Sequence, residues 1–190
     1  MTRGLFAIFT ALLALQRLFE LGLSQKHERA LVARGARQYG ASQFTLMKLL
    51  HVSWFISMLI EVFHFRRPFI PRLAKLAFAV FTAGQVLRYS AIRTLGERWT
   101  TRVFVLPGSM VKKGIYRYIR HPNYLGVILE IFAVPLLHTA YLTTLVFSLL
   151  NALLLRSRIR LEEKALSESG NYQLLFDKKP RFIPKLGWSK

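Results

Sequence analysis

The chain contains no cysteine, and acids are scarce: nine Asp and Glu stand against 28 Lys and Arg. The first absence removes disulfides and thiolate metal ligands together. The five histidines (27, 51, 64, 121 and 138) never fall as His-x-His or His-x-x-x-His, so no dedicated metal site is expected. A glycine-rich dinucleotide fingerprint, a P-loop, a nucleophile elbow and a metal-binding histidine helix are all missing. Charge is also missing locally. Residues 131–155 hold no Asp, Glu, Lys or Arg, a run long enough to cross a bilayer.

What is there is largely apolar. Of 190 residues 53% are hydrophobic, mean hydropathy is positive, and the apolar runs are too long for a small soluble core. The pattern predicts an all-α integral membrane bundle of about five transmembrane helices in a single domain, 1–190. The spans are placed at about 4–24, 46–65, 72–95, 122–138 and 141–165. The basic-then-apolar start resembles a signal peptide, but no Ala-x-Ala site follows and the run continues through Arg17 and Glu20, so no cleavage is expected. Arg17 and Glu20, three apart, share a helix face and can pair. Residues 25–43 read as an amphipathic surface helix and a turn. Gly84, Gln85 and Arg88 give the third span a polar face turned to a protein cavity.

The net charge of +19 raises the question of nucleic acid. Its placement answers otherwise, because Lys and Arg gather at the ends of apolar helices, where membrane headgroups and the positive-inside rule put them. They number five after the first span, seven in the long loop region and nine from Arg156 onward, against five on the opposite side. The long loop and the C-terminus are therefore expected to face the cytoplasm. The basic connection at Arg66, Arg67, Arg72 and Lys75 runs against that count.

Between two apolar stretches lies a polar, aromatic and cationic one, residues 114–126, GIYRYIRHPNYLG. Pro122 suits the first turn of a helix, where its missing N–H costs nothing. His121 is then at or near the N-cap, among free N–H groups that would stabilise an anion. The last helix is long enough for its final turns, with Arg156, Arg158, Arg160, Glu162, Glu163 and Lys164, to project beyond the hydrocarbon. Arg158 and Glu162, four apart, point from one face, and Glu163 about 100° away. The hairpin of the last two spans brings these turns to His121.

The pattern Gly-x-Tyr-x-x-x-Arg-His-Pro-x-Tyr-x-Gly at 114–126 resembles the core motif of the isoprenylcysteine carboxyl methyltransferase family, which includes short bacterial members thought to methylate alkylpyrone-like polyketides. The family's Arg-Ile-x-x-Glu-Glu recurs as Arg158, Ile159, Glu162 and Glu163. A looser ending recurs as Tyr172 and Pro180-Arg181-Phe182-Ile183-Pro184. The resemblance covers residues 96–184 and implies a catalytic part there, built from the 96–122 loop, the last helical hairpin and the C-terminal segment. It implies S-adenosylmethionine as cofactor, with Tyr116, His121, Pro122, Tyr124 and Leu125 lining its pocket. Glu163 is assigned to the same pocket, unless it is solvated or paired elsewhere.

Methyl transfer suits so sparse a site. The donor is already activated, and a carboxylate or acidic enol is already an anionic nucleophile, so the protein need only hold the two in line in a dry pocket. Arg158 and Glu162 are the expected catalytic pair. Arg158 would orient the anionic acceptor, and Glu162 would orient Arg158 or meet the cofactor's amino group. A lipidic or prenylated acceptor would enter between helices from the bilayer, past Trp99 or the third span, with Trp99 and Arg88 as the expected contacts. Membrane lipids are the other expected partners, and nucleic acid is not one. Two alternatives remain at this level: a membrane reductase of the sterol type using a reduced nicotinamide, and a non-enzymatic basic protein binding acidic lipids.

Overall fold

The computed structural model describes residues 1–107, 111–168, 176 and 179–183. Helix α1 spans Arg3–Ala33, begun by the Thr2 hydroxyl, which accepts from the Leu5 N–H at 3.2 Å. No glycine or proline interrupts residues 23–33. Ser24, Glu28 and Leu31 continue the buried stripe of Phe6, Thr10, Leu13 and Glu20. The separate surface helix expected after residue 24 is therefore corrected to one continuous helix. It ends in a Schellman turn, with Gly35 at φ 85° and N–H groups of Gly35 and Ala36 donating to the carbonyls of Val32 and Leu31.

A two-stranded ladder follows, which the hydropathy pattern did not reveal. β1 (Arg37–Tyr39) pairs antiparallel with β2 (Val103–Val105), Arg37 opposite Val105 and Tyr39 opposite Val103. It ties the end of α1 to the long loop, and buried Val103 and Val105 pack near Ala165. The remaining helices are α2 (Ala41–His64), α3 (Pro71–Leu95), α4 (Pro122–Leu136) and α5 (Tyr141–Glu168). Helices α1, α2 and α5 are long and apolar enough to cross a membrane, and α4 is a shorter apolar helix. Leu5, Ile8, Leu12 and Leu15 on α1 and Leu142, Leu145, Leu149 and Leu153 on α5 recur at helical spacing and are exposed. That outward apolar face suits lipid, while Trp54, Met58, Ile131 and Val134 fill the interior.

Helices α3 and α4 meet backbone to backbone. A Cβ on Gly126 would lie 2.7 Å from the Gly84 carbonyl oxygen, and one on Gly84 would lie 3.0 Å from that of Gly126. Paired small residues are what let membrane helices approach so closely. Beside this crossing four charges lie together, Glu20, Arg88 and Glu130 buried and Arg17 partly so. Glu20 pairs with Arg17 at 2.6 Å and with Arg88, while Glu130 pairs with Arg17 and lies 3.3 Å from the Arg88 Nε. Two guanidinium and two carboxylate groups balance, as a low-dielectric interior requires.

The opposite end gives one residue of the basic connection, Arg67, a partner. Buried Glu61 of α2 accepts from the Leu142 and Thr143 N–H groups at 3.1 and 2.7 Å, capping α5 from a neighbouring helix. Arg67 supplies its counter-charge through Nε at 3.0 Å and Nη2 at 2.7 Å. Helix α4 stops at Leu136 because Pro135 precedes a tight reversal, in which Thr139 has φ 55° and the Pro135 carbonyl accepts from the Ala140 N–H.

Candidate functional site

The long loop is tied down from both sides. His27 Nδ1 meets the Trp99 carbonyl at 2.8 Å, and the Thr101 N–H donates to Ser24 Oγ at 2.8 Å, so α1 holds residues 99–101. From α5, Arg158 Nη2 donates to the Thr101 carbonyl at 2.5 Å. Further on, the 3-10 turn Gly114–Arg117 sits against α3. Gly114 has φ 55°, and a Cβ there would lie 2.6 Å from Thr94 Oγ1, so only glycine fits.

His121 is the N-cap of α4 with Pro122 at its first position, as the motif's spacing suggests. Just before the helix, the N–H groups of Arg120 and His121 are bonded to the carbonyls of Pro180 and Arg181 at 3.0 and 3.1 Å. The C-terminal segment thus straps the motif. Glu163 locks the strap. It receives Arg181 through Nε at 3.0 Å and Nη2 at 2.8 Å, His121 Nε2 at 3.0 Å, and Arg120 at 3.2 Å. Partial burial opposes ionisation of Glu163, but the hydrogen bonds from His121 and Arg181 and the nearby positive charges outweigh it and hold the carboxyl at about 2.

A group depressed in the folded state stabilises it above its ordinary value of 4.5 and ceases to do so as the pH falls toward about 2. Thermal unfolding in detergent across that interval should therefore show the wild type losing more stability than Glu163→Gln. Parallel curves would refute the clamp.

Beside the clamp, a second chain of contacts runs through Tyr124. Its hydroxyl donates to Glu162 Oε2 and accepts from Arg158 Nε at 2.9 Å. The Arg158 guanidinium also lies over the Tyr124 ring, 5.8 Å from its centre, and His121 stacks on that ring at 5.4 Å with a 24° tilt. Arg158 is 5% exposed, so its charge is held almost out of water.

Next to these groups an open cleft is lined by Tyr116, Arg120, His121 and Glu162, with Arg98 at its wall and Leu31, Leu95, Val111 and Phe176 as apolar surface. Burial, with the Glu162 carboxylate and Tyr124 adding to it, pushes the Tyr116 phenol well up, so it remains a neutral hydrogen-bonding group. Arg120 Nε is buried with no protein partner among the described residues. A cleft with one carboxylate, two guanidinium groups, aromatic rings and apolar walls can take a ligand of mixed charge carrying an aromatic base.

The sequence-predicted residues do not all gather in one place. Tyr116, His121 and Glu162 border the cleft. Tyr124 and Arg158 stand behind Glu162, and Glu163 is in the clamp. Pro122 begins α4 and Leu125 bonds the His121 carbonyl, neither bordering the cleft. Trp99 is 3% exposed, packed inward, with only its carbonyl tied to α1. Arg88 is occupied by Glu20 and Glu130 in the buried quartet. Tyr172 and Pro184 lie outside the described residues. Sequence reasoning passed over Arg120, although it is inside the motif, and Ser24, whose heptad spacing with Glu20, Glu28 and Leu31 was the available signal.

Comparison with known proteins follows the same geography. The profile of the isoprenylcysteine carboxyl methyltransferase (ICMT) family matches residues 76–168, from α3 to the end of α5. An uncharacterized protein of Bacillus subtilis (strain 168), YpbQ, is 39% identical over 165 residues, 86% of this chain and 98% of that one. An uncharacterized protein of Haemophilus influenzae (strain ATCC 51907 / DSM 11121 / KW20 / Rd) is 33% identical over 161 residues, 84% of this chain and 92% of the other. Among solved structures, the eukaryotic intramembrane Ras methyltransferase ICMT shares the fold, with a TM-score of 0.60 and 24% identity over 77% of this chain. The chain spans about half of that protein, 53% of its length. The family's profile thus falls on the helices and loop that build the cleft and the Arg158–Tyr124–Glu162 chain, and the protein belongs to the isoprenylcysteine carboxyl methyltransferase family.

Proposed function

We propose that this integral membrane protein is an S-adenosylmethionine-dependent O-methyltransferase whose acceptor is an anionic oxygen, carboxylate or acidic enol, on a lipidic molecule such as an isoprenylcysteine or an alkylpyrone. One observation carries the reading. Glu162 borders an open cleft walled by aromatic, cationic and apolar side chains, and a single tyrosine hydroxyl separates it from the guanidinium of Arg158. A donor site and an anion-orienting site are thereby adjacent and share a wall.

The residues fit the cofactor. Arg120, with its unpartnered Nε, suits a carboxylate, Glu162 an ammonium or a sulfonium, and the rings of Tyr116 and His121 either the cation or the base. When bound, S-adenosylmethionine supplies an activated methyl group. The chain's own residues then orient and exclude water. Among the described residues nothing accepts from Arg158 Nη1, so that edge of the guanidinium is left for the acceptor's oxygen while Tyr124 and Thr101 hold the rest. No strong base is needed, since the nucleophile is already ionised near neutral pH. The positive-inside asymmetry supports placing the catalytic part, residues 96–184, on the cytoplasmic side.

The test is calorimetric titration of detergent-purified protein with S-adenosylhomocysteine, a reduced nicotinamide as control, and labelled methyl transfer to an S-farnesylcysteine derivative and a long-chain hydroxypyrone. S-adenosylhomocysteine should bind and the nicotinamide should not. His121→Ala, which strips a cleft wall and a clamp contact, should weaken that affinity about 10-fold, the loss of one charge-assisted or stacking contact. Folded wild type that ignores S-adenosylhomocysteine would refute the proposal.

A further inference from the structure

We infer that Ser24 of α1, outside every motif that marks the family, is a positioning residue that aims Arg158 through the carbonyl of Thr101. The inference rests on the reading above, in which Arg158 meets the acceptor.

Ser24 is fully buried at 0% exposure, and its one hydroxyl serves three partners. It lies 2.8 Å from Glu28 Oε1, 2.8 Å from the Thr101 N–H and 2.9 Å from Thr101 Oγ1. The directions follow from counting protons. An ionised carboxylate only accepts, so Ser24 spends its single proton on Glu28. The Thr101 hydroxyl must then donate to Ser24, whose two lone pairs take the Thr101 O–H and N–H. No capacity is left over on the serine. Glu28 is held in turn by Arg102, at 3.5 Å.

Thr101 is therefore gripped at its amide and its side chain, which sets the direction of its carbonyl. That carbonyl receives Arg158 Nη2 at 2.5 Å. Tyr124 fixes the Nε edge of the same guanidinium. With two edges pinned, a rotation about the Nε–Cζ bond would break a bond that Ser24 stiffens. Helix α1 thus takes part in the site without touching the cleft through Ser24.

The experiment uses full-length protein in detergent, labelled with ¹⁵N-arginine, as wild type, Ser24→Ala, Thr101→Val and Thr101→Ser. Read out are hydrogen exchange of the Arg158 Nη2–H, S-adenosylhomocysteine affinity, and turnover on the two acceptors named above. Ser24→Ala should exchange about 10-fold faster and turn over roughly 10- to 100-fold slower, the range that misorientation alone produces. Its S-adenosylhomocysteine affinity should be unchanged, and Thr101→Ser should behave as wild type. Unaltered exchange and turnover in Ser24→Ala, with cofactor-product affinity intact, would overturn this inference and leave the proposed function standing. Wild type that binds no S-adenosylhomocysteine would overturn both. Should Ser24→Ala not fold, Thr101→Val, which loses only the hydroxyl, decides by the same readings in the same direction.

Discussion

Arg158→Ala is expected to lower methyl transfer by roughly 10²- to 10³-fold, the loss seen when one preorganised donor to a reacting oxygen is removed, while leaving S-adenosylhomocysteine affinity within a few-fold. The two effects separate because of where the side chain stands. Arg158 is bonded to Tyr124 and Thr101, whereas the cleft is bordered by Glu162, Tyr116, His121 and Arg120. Arg158→Lys should recover little, since a lysine lacks the planar fork that spans Tyr124, Thr101 and an anion together. Labelled transfer to the S-farnesylcysteine and hydroxypyrone acceptors, with calorimetry on the same preparations, checks it. Wild-type turnover in Arg158→Ala would take the residue out of the mechanism.

The second large effect concerns stability. Arg88→Met should destabilise the folded protein by about 3–5 kcal/mol, the cost of stranding buried partners of the opposite charge. Glu20 and Glu130 would then share Arg17 alone, leaving one carboxylate uncompensated beside the Gly84–Gly126 crossing. The double change Arg88→Met with Glu130→Met removes one charge of each sign, and it should recover much of the loss. Thermal unfolding in detergent measures both. A different result distinguishes the earlier expectation for Arg88. Had it been an acceptor contact, Arg88→Met would raise the acceptor's KM and leave the unfolding temperature where it was.

Much of the site was legible before the fold was known, for reasons tied to particular residues. The Arg-His-Pro spacing has a local meaning, because Pro122 can occupy a first helical turn and then makes His121 the N-cap. Arg158 and Glu162 share a face by helical periodicity, and both contact the Tyr124 hydroxyl. Glu163 was harder. Its direction around the helix follows from the sequence, but its partners come from elsewhere in the chain, Arg181 from 18 residues further on and His121 from 42 residues before. The small β1–β2 ladder was invisible because three residues on each strand carry too little periodicity to register, and their pairing joins positions 37 and 105.

By itself the sequence determined the class of molecule: a basic, cysteine-free, all-helical membrane bundle with a polar hairpin mouth and the residue types for orienting an anion. These follow from composition and from periodicities that act within a helical turn or two. Only the tertiary structure decided how each ionisable group is used. Glu61 and Arg67 became a cap for α5, Arg88 joined a neutral quartet, and Ser24 reached the loop beside Arg158. A buried charge is stable only beside its partner, and those partners come from helices far apart in sequence, so their pairing is set by packing and by nothing local.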